Sequence, residues 1–468
     1  MQTIDAGTRG KILNAKQILI LLSQCLSGGD AAFMTISLVV VGRQLHVGPA
    51  VVQWLLSAEL LTCGGFLVLG GRLVDLVGIR RMFLVGSALF TLGALPGLLS
   101  THLSLIFPGR VLAGLGIACV NPAILGLIVE TFPDGVGRDR AFGLFSLGQN
   151  IGFFGGMILG GVVIGLAGWH GAFGIDFLLG IVAFALGLAC LGPGHRHQSL
   201  KGLDVPGAVT VTLGIGLLIF ALSSAGSSLS TVSWALLGSA LMLSLFTKVE
   251  SQTARPLLPL LVFQATNVWA SVALILLFNA LAIATLVSSL FFAQQLGHVP
   301  PAYAALLFLP ALIVATVAAR LVPRALARFA PRNVVLAGLS AYMAFFVMAL
   351  VNGEAFASPR LAFAMALIGI CLSSSGSVAG IITVYAEATA SAPEADRGVV
   401  SAALLAVAQI GGAVGVAVSA TTLAVHPASM PENFALTFLT IASASALGVA
   451  VTIGFFRATQ PRQGIRAH

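Results

Sequence analysis

GGRLVDLVGIRR, residues 70–81, places one aspartate and three arginines between two long apolar runs. Upstream, from Pro49 to Leu69, Glu59 is the only charged residue, and downstream, from Met82 to Pro108, there is none. A bilayer core about 30 Å thick takes roughly 20 apolar residues of helix, so both flanks have the length of membrane spans. The charged stretch between them then reads as a short connector in water.

The rest of the chain repeats this pattern. Of 468 residues, 58% are hydrophobic and only 8% are charged, with a mean hydropathy of +1.04. Soluble domains carry roughly 25% charged residues, which excludes a water-soluble globule. The net charge of +8 is not a nucleic-acid signal, because the basic residues stand singly or in pairs between apolar runs. Cys25, Cys63, Cys119, Cys190 and Cys371 all fall inside apolar runs without CxxC or CxxH spacing, and read as small buried hydrophobes. Lys11 and Lys16 precede a run that continues to Val41 without a small-residue cleavage site, so a retained first helix is expected rather than a signal peptide.

Fourteen apolar runs predict an all-α polytopic membrane protein with fourteen spans. Among them are 17–41, 50–70, 141–165, 171–191, 206–225 and 232–248. With both termini cytoplasmic, all but three of the 23 Lys and Arg residues fall on the inner side, the exceptions being Arg43, Arg110 and Arg360. Trp54, Trp169, Trp234 and Trp269 stand near span ends, where interfacial indoles belong. A faint repeat pairs GIRRMFLVGS (78–87) with APRNVVLAGLS (330–340), matching Arg80 to Arg332 and Gly86 to Gly338. Two six-helix halves separated by an extra helix pair account for it, and repeated halves with a site between them are a transporter architecture. The expected units are 1–195, 196–255 and 256–468.

The connector resembles the loop between helices 2 and 3 of the major facilitator superfamily, through Gly71, Leu73, Asp75, Gly78, Arg80 and Arg81. IFPGRVLAGLGIA (106–118) is similar to that family's helix 4 motif, giving Arg110, Gly114 and Gly116. GLFSLGQNIGFFGGMILGG (143–161) resembles its helix 5 antiporter motif through Gly143, Gly152, Gly156, Gly160 and Gly161, with Met157 in place of the usual proline. Weaker likenesses to the fourteen-helix drug:proton antiporter branch run from about residue 20 to 455. They include WHGAFGID (169–176), with Asp176 where asparagine is usual. The resemblance implies the major facilitator fold, two six-helix bundles plus two additional helices. It also implies a conformational gate at Gly71, Asp75, Gly78, Arg80 and Arg81, and a helix 5 glycine face that controls the switch.

Asp30, in SGGDAAFMTISLVVV (27–41), occupies the acidic position of the branch's helix 1 motif, and Glu59 replaces a tyrosine of its helix 2 motif. A charge at bilayer depth costs about 3 kcal/mol by insertion scales, so such residues face the bundle interior, pair with one another or hold a proton. A carboxylate that binds either a proton or a cationic substrate gives antiport directly. Asp30 is therefore the first candidate for proton coupling and substrate binding, followed by Glu59 and Arg110. Asp176 is expected near the outer interface as a loop-anchoring acid.

These readings describe a monomeric carrier in a bacterial inner membrane. It exports lipophilic drugs or antibiotics, cationic ones among them, in exchange for protons. Its partners are the small-molecule substrate, protons and the lipid bilayer, without nucleic acid. No cofactor or metal is implied: G-x4-G-K-S/T, HExxH and paired Cys/His sets are absent from the sequence, and no enzymatic activity is expected. Two alternatives stay open, a proton-coupled symporter importing a small solute and a non-transporting membrane sensor or assembly subunit.

Overall fold

The computed structural model describes residues 6–100, 102–132, 136–192, 204–224, 229–253, 266–296, 308–351, 359–391, 397–424 and 430–455, and every described element is helical. The first six helices are α1 (Ala6–Gln44), α2 (Pro49–Val77), α3 (Ile79–Leu99), α4 (Leu103–Thr131), α5 (Val136–Asn150) and α6 (Gly156–Cys190). A π-helical turn, Ile151–Gly155, joins α5 to α6, and Gly168 breaks α6 with φ 69°. After α7 (Val205–Ser223) and α8 (Leu229–Gln252) come α9 (Thr266–Phe291), which ends in a second π-helical turn, Phe292–Leu296, and α10 (Phe308–Arg328). The last four are α11 (Pro331–Val351), α12 (Pro359–Ser391), α13 (Arg397–Ala424) and α14 (Met430–Phe455). Ten helical segments among the described residues are long and apolar enough to cross a membrane, and two shorter apolar stretches lie at Trp54–Leu67 and Pro206–Ala221.

In a bilayer, lipid and side chains are equally apolar, so helices associate through close packing and interhelical hydrogen bonds rather than by escaping water. Both devices are present. Gly86 of α3 meets Gly116 of α4 so closely that a Cβ on Gly86 would stand 2.7 Å from the Gly116 carbonyl oxygen. Gly338 of α11 meets Gly376 of α12 in the same way, again at 2.7 Å. The weak repeat in the sequence thus corresponds to a repeated glycine-on-glycine crossing. Between α1 and α4 run three polar rungs: Lys16 Nζ to Thr131 Oγ1 at 3.1 Å, Gln24 Nε2 to Asn121 Oδ1 at 3.1 Å, and Asp30 with Arg110.

The 70–81 connector is almost entirely helical. Gly78 alone separates α2 from α3, at φ 94° and ψ 150°, and its N–H donates to the Val74 carbonyl at 2.9 Å. Only glycine adopts that backbone without strain, which explains this position of the signature. Gly71 has open space around it among the described residues, whereas its neighbour Gly70 lies against the Ala118 carbonyl, so the close helix approach in this segment is at Gly70. Arg80 is half-buried and Arg81 exposed, while the side chain of Asp75 lies outside the described residues.

Helices α1–α6 pack on one another, as do α9–α14. Helices α7 and α8 pair, and α7 rests on α2 and α13, at the seam between the two sets. The expected boundaries near 195 and 255 lie outside the described residues. At the end remote from the Gly78 turn, called distal here, one apolar cluster joins the sets: Leu38, Val41 and Val52 with Phe291, Phe292, Leu423 and Phe438. Arg43 of α1 also donates to the Gln294 carbonyl at 3.3 Å. Among the described residues, the two sets are thus in contact at the distal end.

Trp234 and Trp269 lie on the outside of the bundle, 75% and 59% exposed, as interfacial indoles would. Trp169 does not: it is buried in the distal cluster, stacked on His170 at 3.7 Å and edge-on to Phe173. The helix break at Gly168 turns it inward. Trp54 packs on Phe220 of α7 with ring centroids 5.4 Å apart.

Candidate functional site

Arg110 is the centre of the site. It projects from α4 into the middle of the N-terminal six helices, where its fork meets Asp30 of α1: Nη1 to Oδ1 at 2.7 Å and Nη2 to Oδ2 at 2.9 Å. Nη2 also pairs with Glu59 of α2, and Nε donates to the Leu55 carbonyl at 3.3 Å. The ring of Phe173 on α6 covers the guanidinium, 5.9 Å away. Gly114, one turn along α4, makes this possible, since a Cβ there would strike the Glu59 carbonyl at 2.5 Å. Asp30, Arg110, Asp176 and Glu59 are 0, 1, 2 and 4% exposed.

Asp176 corrects the sequence expectation. It lies in this cluster, buried with Asp30 and Arg110 as its electrostatic neighbours, rather than anchoring a loop at the interface. The stripe Trp169, Phe173, Asp176 on α6 faces inward, at the i, i+4, i+7 spacing of one helical face. That spacing is visible in WHGAFGID and is the signal that could have placed it. Three carboxyl groups therefore surround one guanidinium. A buried charge is costly unless it is paired and hydrogen-bonded, and the fork of arginine provides that pairing to Asp30 and Glu59 together.

The helix 5 glycines form the other part of the site. A Cβ on Gly152 would strike the Cys25 backbone of α1; one on Gly156 would stand 3.0 Å from Gly29 Cα, and one on Gly160 2.7 Å from Phe33 Cδ1. Gly161 is buried, and Gly143 is exposed with open space around it, so the contact with α1 runs through three of the five motif positions. The irregularity that proline would supply comes from the π-helical turn, a feature common at functional sites. Gly152→Val should force α1 and the turn apart at an overpacking cost of about 1–3 kcal/mol, whereas Gly143→Ala should be neutral. Thermal melting of the two variants in detergent separates these outcomes.

Gln149, Asn150, Phe153 and Phe154, on the α5–π-turn segment, line a cavity of about 250 Å³ between the two helix sets. Across it stand Asn279, Leu286, Phe308, Tyr342, Ser373 and Ser377. Amide and hydroxyl groups alternate there with aromatic and aliphatic ones, and none of its lining residues is charged. Asp30, Glu59 and Arg110 do not line it. The ion cluster lies within the N-terminal helices, while the cavity lies between the sets. The segment that carries Gly152 against α1 thus also carries Phe153 and Phe154 into the cavity.

The model of the Major Facilitator Superfamily matches residues 20–416. The cephamycin export protein CmcT of Amycolatopsis lactamdurans is 30% identical over 416 residues, covering 87% of this chain and 84% of that protein. The multidrug resistance protein Stp of Mycobacterium tuberculosis is 26% identical over 402 residues, covering 84% and 73%. Among solved structures, a POT family transporter in complex with 5-aminolevulinic acid superposes with a TM-score of 0.71 at 14% identity, over 96% of this chain and 97% of that one, a likeness of fold alone.

Proposed function

Because the chain belongs to the Major Facilitator Superfamily, we propose that it is a proton-coupled antiporter exporting lipophilic drugs or antibiotics by alternating access. The observation that carries this reading is the buried Asp30–Arg110–Glu59 cluster, an ionisable site with no access to water in this conformation. Export is supported by relatives whose names describe export of cephamycin and multidrug resistance. In this reading the protein crosses a bacterial inner membrane fourteen times as a monomer with cytoplasmic termini. The distal end, where the two sets are in contact, is then the outer one.

The cavity takes the drug, and the cluster takes the proton. Their separation makes coupling indirect: a proton on Asp30 weakens its hold on Arg110, α1 shifts, and the glycine face of helix 5 moves with it. Phe153 and Phe154, on the same turn, then reshape the cavity. The 71–81 segment, with Gly78 as its tight turn, acts as the hinge between α2 and α3 during that movement.

Expression in a bacterial host lacking its own drug pumps tests the export direction. Cells carrying the protein should accumulate less ethidium than cells without it, and a protonophore should abolish the difference. The hydrogen-bonding share of the cavity, Gln149, Asn150, Asn279 and the serines, favours a second reading, a proton-driven symporter for a small polar solute. Uptake that rises with expression would select it. A sensor or assembly subunit would move neither drug nor solute.

A further inference from the structure

Arg110 can neutralise only one of the three carboxylates around it. With Asp30, Glu59 and Asp176 all ionised, the cluster would hold two uncompensated negative charges away from water, a state that several kcal/mol per ion disfavours. Arg110 also has little left to offer Asp176. Its fork and Nε are engaged by Asp30, Glu59 and the Leu55 carbonyl. Asp176 has no ion pair among the described residues, and its Oδ1 is buried without a hydrogen-bond partner among them. A buried carboxyl without a paired counter-charge is far cheaper to keep neutral, with its proton, than ionised.

Among the described residues, the other elements packed against α6 do not supply a buried counter-charge. α1 brings Asp30, and the arginines of α10, Arg320, Arg324 and Arg328, are exposed. The basic residues of α3, Arg80 and Arg81, lie at its opposite end, beside the Gly78 turn. On α6 itself His170 is stacked on Trp169, nearly two turns away.

We infer that Asp176 is a second proton carrier of this site: in this conformation it holds a proton. The inference rests on the proton-coupled reading above and adds a proton to it. In the balance, the O–H bond of Asp176 breaks when the site opens and its proton leaves to water. The cluster gains one negative charge, which the returning proton cancels. The carrier therefore moves one proton more per cycle than Asp30 and Glu59 alone account for.

Infrared spectroscopy of the full-length protein in liposomes tests this without any substrate. At neutral pH exposed carboxyls are ionised, so a protonated-carboxyl band that moves on carbon-13 labelling of aspartate reports a buried aspartic acid. The wild type should show it, Asp176→Asn should lose it, and Asp176→Glu should replace it with a band that aspartate labelling does not move. A wild type without such a band, or an Asp176→Asn protein that keeps it whole, would overturn the inference. If Asp176→Asn loses the band while wild-type transport proves independent of protons, the antiport reading fails and the bound proton stands.

Discussion

Arg110→Ala should yield a protein that barely accumulates in folded form. The substitution strands Asp30 and Glu59, both buried against the lost guanidinium, and removing one partner of a buried ion pair costs about 3–5 kcal/mol. A fully buried cavity the size of an arginine side chain adds to that loss. Acidifying the buffer should recover part of the stability, because a protonated carboxyl needs no counter-ion. Arg110→Lys keeps the charge but replaces a planar fork by a single ammonium, which cannot hold both oxygens of Asp30 and also reach Glu59. That variant should fold and transport poorly. Size-exclusion profiles and melting curves in detergent, taken at neutral and acid pH, read both results.

Asp30→Asn should leave a folded protein whose transport no longer depends on protons. Asparagine keeps the shape, and Glu59 remains as a charged partner for Arg110. What disappears is the carboxylate whose protonation releases the fork. Gradient-driven exchange should fall by at least about tenfold, the consequence of ~1.4 kcal/mol in the coupled step. Glu59→Gln should have the smaller effect, since Asp30 makes both hydrogen bonds of the bidentate contact.

The sequence was most legible where one residue fixes its surroundings. Gly78 is the turn between two helices because its φ of 94° admits little else, and that turn is what the GGRLVDLVGIRR pattern encodes. Asp30 and Arg110 were expected at bilayer depth, and the structure joins them. Glu59 could not be oriented from helical pitch alone, because a residue in a span surrounded by other helices has an interior neighbour on almost every side. Asp176 was misplaced because, only five residues into the span expected at 171–191, it counts as shallow, whereas the helix resumes at Gly168 and Asp176 is buried. From that break, eight residues of helix at 1.5 Å each carry Asp176 about 12 Å inward. The cavity was illegible because its walls come from both helix sets. Gln149 and Asn150 hide within a motif read for its glycines.

Reconstitution into liposomes with an imposed pH gradient tests the central claim most directly. A pH-sensitive dye inside the vesicles reports proton movement while ethidium, tetraphenylphosphonium and chloramphenicol are added in turn. The wild type should dissipate the gradient when a transported compound is added, accumulating that compound against its own gradient, and Asp30→Asn should do neither. Drug movement at the same rate with and without the pH gradient, or an Asp30→Asn protein indistinguishable from wild type, would contradict the account.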